Sequence, residues 1–79
     1  MVRRQTFINK IRSLGYSYKS QQKRTYLYRK AGGTHYISVP MADLLEDEFV
    51  TSALRQAGAP EDEIQSFLEC YSKPPDQAN

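Results

Sequence analysis

Residues 16–39 constrain the fold most. They lie between a glycine at 15 and a proline at 40, are rich in Tyr, Thr, Ile and Val with polar residues between, and carry Ala31-Gly32-Gly33 near their middle. β-Branched and aromatic residues suit a pleated, half-buried surface, and glycines supply the positive φ that a tight hairpin needs. The segment therefore predicts strands near 16–21, 24–30 and 34–39. Pro40, with no N–H to give a ladder, is expected to stop the last one. Register stays open. A two-residue turn at Gly32-Gly33 pairs Tyr28 with Ile37 and Tyr26 with Val39, whereas a three-residue turn from Ala31 pairs Tyr28 with Tyr36. One residue of slip exchanges the faces. Ile37 and Val39 are expected in the core in either case.

Helical periodicity flanks this segment on both sides. Phe7, Ile8, Ile11 and Leu14 fall on one helical face, with Thr6 as a candidate N-cap and Gly15 as a left-handed stop. After Pro40 a loop through Leu44 and Leu45 leads to a second helix. Glu46, Asp47 and Glu48 stand at its start, where the helix dipole favours acids. Phe49, Val50, Ala53, Leu54 and Ala57 form its apolar stripe, and Gly58 closes it. Pro60 opens a third, short helix with Glu61, Asp62 and Glu63 in its first turn and Ile64, Phe67, Leu68 and Tyr71 on one face. The expected class is α+β: helix, three-stranded antiparallel sheet, helix, short C-terminal helix. One domain over residues 1–73 and a frayed tail over 74–79 complete the organisation.

Charge is divided along the chain. Residues 1–30 hold Arg3, Arg4, Lys10, Arg12, Lys19, Lys23, Arg24, Arg29 and Lys30 with no acid, while nine carboxylates against Arg55 and Lys73 fill residues 43–79. The net charge of +2 hides this polarity. Cations interleaved with Tyr16, Tyr18, Tyr26 and Tyr28 are what looped or single-stranded RNA selects: charge for phosphates, ring faces for unstacked bases. Lys10, Arg12, Lys19, Lys23, Arg24, Tyr26, Tyr28, Arg29 and Lys30 are thus the candidate RNA-binding residues, with Tyr18 as a further ring.

No apolar run approaches the roughly 20 residues of a membrane span, and no apolar signal core follows Met1-Val2-Arg3-Arg4-Gln5. A soluble, cytoplasmic chain is expected. One Cys70 and one His35 make neither a disulfide nor a metal site, and Cys70 reads as a small packing residue. No cofactor is implied. The seven serines include none in a nucleophile-elbow context, and Gly32-Gly33 lacks the Lys-Ser/Thr ending of a phosphate loop.

The element order, together with Ile11-Arg12-Ser13-Leu14-Gly15-Tyr16, the strand pair closing on Val39-Pro40, and Leu54-Arg55-Gln56-Ala57-Gly58 before an acidic short helix, resembles the HicA family over roughly residues 4–68. That resemblance implies a double-stranded-RNA-binding-domain-like fold in a bacterial toxin acting on messenger RNA, with a HicB-like antitoxin as protein partner. HicA toxins carry a Gly-Ser-His motif entering the middle strand, whose histidine is catalytic; here the stretch reads Lys23-Arg24-Thr25. The family's second histidine, after the Val-Pro, is replaced as well, because Met41 and Ala42 follow Pro40.

Three readings follow. The first is a HicA-like RNA-binding protein without the usual histidine-dependent cleavage. The second is a ribonuclease using His35, the only side chain whose ordinary pKa suits a base near neutrality, set opposite Lys30 by a two-residue turn. The third is a non-catalytic protein-interaction module offering acidic helices or a free sheet edge.

Overall fold

Met1 to Ser72 are described by the computed structural model. A two-residue strand, β1 (Val2–Arg3), runs directly into α1 (Arg4–Ser13). β2 (Tyr16–Gln22), β3 (Thr25–Lys30) and β4 (Tyr36–Pro40) follow as an antiparallel sheet in the order β2-β3-β4. β5 (Leu44–Leu45) returns to pair with β1, and α2 (Asp47–Gln56) and α3 (Glu61–Tyr71) complete the chain. The class is α+β as expected. The expected tail at 74–79, and Lys73 before it, lie outside the described residues.

The β1–β5 pair escapes sequence reading because each strand is two residues long. It also moves the start of α1. Thr6 lies inside the helix and does not cap it; Arg3 holds the N-cap position without a side-chain bond, and the Arg4 N–H donates to the Asp43 carbonyl at 2.9 Å. A tertiary contact thus satisfies one of the first-turn N–H groups that the helix itself leaves without a partner. The α3 helix, expected to be short, runs for eleven residues.

Glycine stops both early helices as predicted. Gly15 has φ +99° and Gly58 φ +93°. At the end of α2 the Gly58 N–H donates to the Arg55 carbonyl and the Ala59 N–H to Leu54, the paired bonds of a Schellman motif. Arg55 then braces the α2–α3 corner with two bonds to Glu61, at 2.7 and 2.8 Å.

The β3–β4 hairpin adopts the register in which Tyr28 faces Ile37 and Tyr26 faces Val39. A β-turn closed by the Gly33 N–H on the Lys30 carbonyl, with Gly32 at φ +73°, makes the reversal. Lys30 N–H to His35 O and Met41 N–H to Arg24 O are hydrogen-bonded positions of this ladder, so Tyr36, Ser38 and Pro40 turn their backbone groups to the open edge. Pro40 therefore belongs to β4, paired with Thr25, because no N–H is needed there.

Even-numbered residues of β3 and odd-numbered residues of β4 face the helices. Tyr28, Ile37 and Val39 join Val2, Phe7, Ile11, Leu45, Val50, Leu54 and Ile64 in one core. Phe7 and Phe49 meet edge to face at 5.6 Å, tying α1 to α2. The opposite face of the sheet carries no helix, and Leu27 lies there half-buried. Tyr71 is half exposed despite its helical spacing, and Cys70 is exposed, not packed, because the last turn of α3 runs past the core.

Candidate nucleic-acid interface

The period of two along each strand decides where the predicted binding residues point. Tyr18, Tyr26 and Tyr28 share the helix-facing side, Tyr18 directly opposite Tyr28. Tyr28 is buried at 8% exposure, so its ring serves the core and not a ligand. Burial raises the Tyr28 phenol above its ordinary pKa, against the opposing pull of the Arg12 and Arg4 guanidiniums. Tyr26 is half-buried beneath the Arg4 guanidinium, which lies 5.7 Å from its ring centre while donating to the carbonyls of Met41 and Ala42. Tyr18, on the edge strand, is 55% exposed and packs against both other rings at 6.4 and 5.9 Å. Arg12, exposed on α1, borders this rim.

Lys19 points the other way, as alternation after Tyr18 requires. The β2–β3 register shifts between Tyr18 and Ser20, leaving Lys19 as the extra residue. Its ammonium crosses β3 on the uncovered face and stands 5.7 Å over the Tyr36 ring. Arg29, exposed and paired with both Ser17 and Tyr36, shares that face, and Lys30 lies at the strand's end.

Lys23 and Arg24 form the tip of the β2–β3 hairpin, between the paired Gln22 and Thr25. Lys23 has φ +35°, the sole positive φ outside glycine among the described residues. L-residues rarely adopt that conformation, so the tip is strained. Thr25 Oγ1 donates to the Gln22 carbonyl at 3.3 Å, a bond that closes the turn.

Lys10 leaves the group. On α1 it faces α3, and its ammonium bonds Glu63 at 2.8 Å, beside a groove lined by Asn9, Phe67 and Tyr71. Among the described residues this is the one ion pair between a cation of residues 3–30 and a carboxylate. Glu46, Asp47 and Glu48 stand at the start of α2, and Glu61 and Asp62 beside Glu63 at that of α3, while Asp43 precedes β5 and Glu69 lies late in α3.

His35 sits across from Lys30 through the backbone, as the two-residue register requires, but its ring turns to Tyr16. The Tyr16 hydroxyl and Nδ1 are 2.5 Å apart and the rings meet edge to face at 5.9 Å. Tyr16 is buried, which raises its phenol pKa and keeps it a neutral partner. The imidazole thus closes the rim of the core.

Sequence reasoning grouped the cations as one set of RNA-binding residues, and the strands divide them between two faces and a tip. It missed Arg4, whose role depends on the chain returning at 41–42, and Tyr36, which is 40% exposed. Tyr36 was within reach: once Ile37 and Val39 are placed inside, alternation turns the residue before them outward. No known protein family, curated protein or solved structure matches this chain.

Proposed function

We propose that this chain is a HicA-like RNA-binding protein of the toxin–antitoxin type, which holds messenger RNA without histidine-dependent cleavage. The observation that carries this reading is the unopposed charge: Arg3, Arg12, Lys19, Lys23, Arg24, Arg29 and Lys30 are exposed and make no ion pair with any described carboxylate. Charges separated by more than a screening length of about 8 Å act independently in physiological salt. Six of the eight described acids stand at the starts of α2 and α3, and none of the eight pairs with a cation of the sheet or its hairpin tip.

The strain at Lys23 points the same way. The resembling family has glycine at this position, where a positive φ is free; a lysine there accepts a conformational cost and gains a cation at the tip of the β2–β3 hairpin. The order α1, three antiparallel strands, α2 is also that of the double-stranded-RNA-binding-domain-like fold the resemblance implies. Thr25, at the place of the family's histidine, has its hydroxyl in the turn, and His35 is held by Tyr16. Neither supplies a base and cation pair for the 2′-hydroxyl, so binding without cleavage is the better reading.

Titration of a labelled single-stranded RNA at several salt concentrations tests it. Neutralising four to six phosphates gives a slope of log affinity against log salt of roughly −3 to −4. A slope near zero, or no binding at about 50 mM salt, removes the proposal. Recovery of one stoichiometric protein and no RNA from a pull-down would favour a protein-interaction module instead.

A further inference from the structure

β2, β3 and β4 hold no Asp or Glu, so the sheet face that no helix covers carries cations without acids. Alternation turns Lys19, Leu27, Arg29, Tyr36 and Ser38 to that face. Across the strands they form two rows. Arg29 stands between Ser17 and Tyr36, and Leu27 between Ser20 and Ser38. Leu27 is half-buried, so part of an aliphatic side chain meets solvent at the middle of the face. The Tyr36 ring is 40% exposed, and the Lys19 ammonium reaches it from β2 across the whole width of the sheet. Lys23 and Arg24 continue the positive charge at the hairpin tip.

The chemistry of this face is a ring and an aliphatic side chain set among cations and hydroxyls. Cations take the phosphates of a polyanion, while the ring and the leucine need flat apolar surface, which nucleic acid presents only where its bases are unpaired. We infer that a single-stranded RNA lies across the uncovered face of the sheet, with one base stacked on Tyr36, a neighbouring base over Leu27, and the flanking phosphates on Lys19 and Arg29. This rests on the RNA-binding reading and adds the strand state and the face. Lys19 leaves the ring as the base arrives. Its side chain is exposed, and a cation–ring contact in water is weaker than a stacked base, so the exchange is favourable and frees the ammonium for a phosphate. The helix-facing side offers bases less, because Tyr28 is buried and Tyr26 is half-buried beneath Arg4, which leaves Tyr18. A duplex keeps its bases stacked and paired, so it brings this face phosphates alone.

The test is fluorescence anisotropy over a range of salt, with a labelled single-stranded RNA of about 12 nucleotides, within the length that one small domain covers, and with the matching duplex. The single strand is expected to bind more tightly than the duplex. Tyr36→Ala is expected to weaken single-strand binding about tenfold, on the order of one lost stacked base, with an unchanged salt slope because no charge is removed. Tyr36→Phe keeps the ring and the affinity. Lys19→Ala is expected to make the slope shallower by about 0.7, one phosphate contact on a single strand. Tyr71→Ala removes a comparably exposed ring from α3 and is expected to change nothing. Melting of each variant beside the wild type separates a lost contact from a lost fold. Single-strand binding that survives Tyr36→Ala unchanged, a larger loss from Tyr18→Ala than from Tyr36→Ala, or a preference for the duplex overturns the sheet-face site and leaves RNA binding standing. Absence of any binding by the wild type at low salt overturns both.

Discussion

Replacing Lys23 with glycine is predicted to make the protein more stable and a poorer ligand for RNA. Lys23 stands at φ +35° in the tip of the β2–β3 hairpin. An L-residue in the left-handed region costs roughly 1–2 kcal/mol, which glycine avoids, and glycine returns about 0.5–1 kcal/mol through its more flexible unfolded chain. The net expectation for Lys23→Gly is about 0.5–1 kcal/mol of added stability. In a domain of this size each kcal/mol moves the melting midpoint by roughly 4–8 °C, so thermal unfolding followed by circular dichroism should show a rise of about 2–8 °C. The same substitution deletes one exposed cation. Its salt slope on single-stranded RNA should be shallower by about 0.7, with affinity down a few-fold. Lys23→Asn, neutral but tolerant of positive φ, should reproduce the loss of binding with part of the gain in stability. A midpoint that stays put or falls refutes the strain argument, and an unchanged salt slope refutes the role given to the tip.

Other expectations concern the scaffold. Gly58→Ala meets no atom within 4 Å of the new Cβ, so its cost is conformational alone: about 1–2 kcal/mol from φ +93°, read as a lower urea midpoint with unchanged m-value. Phe7→Ala empties a fully buried position that contacts Phe49 and is expected to cost about 3–5 kcal/mol, much of the stability of a small domain, so the variant should be largely unfolded near 37 °C. Asp47 accepts a hydrogen bond from the Ser72 hydroxyl, shared between its two oxygens, which holds its carboxyl below the ordinary value. Because the folded group is the stronger acid, its stabilisation is complete above the unfolded pKa of roughly 4 and fades as pH falls through the lower folded value. Ser72→Ala should lower stability across the neutral region and flatten the acid limb, the two pH–stability curves converging once pH falls below the folded value. Tyr16→Phe removes the hydroxyl facing His35 and is expected to destabilise by about 1 kcal/mol with no change in RNA affinity, measured by melting and anisotropy side by side.

What the sequence disclosed was what local chemistry governs. Helix α1 was legible from Phe7, Ile8, Ile11 and Leu14, and both its end and that of α2 from glycines whose positive φ no other residue supplies cheaply. The buried pair Ile37 and Val39 followed from alternation, and the turn length left two registers, between which the tyrosines at 26 and 28 could not decide because either face accepts an aromatic ring. Features built from distant segments stayed hidden. The β1–β5 pair, the Arg4 bonds to the chain at 41–42 and the Lys10–Glu63 pair each join residues far apart in sequence, and composition carries no trace of such meetings. The bulge at Lys19 had no glycine to announce it, yet it reverses the alternation for the rest of β2. Among the binding residues the charge was therefore readable and its direction was not.

The central claim is that the sheet and its β2–β3 tip attract a polyanion while the acidic helix starts stand aside. Backbone amide chemical-shift mapping of the full chain, titrated with a short single-stranded RNA at low salt, tests this most directly. The predicted map has its largest shifts at Lys19, at Lys23 and Arg24, and along Arg29 and Tyr36–Ser38, with residues 46–48 and 61–63 undisturbed. Shifts concentrated at those acidic residues, or no shifts at saturating RNA, would contradict the account.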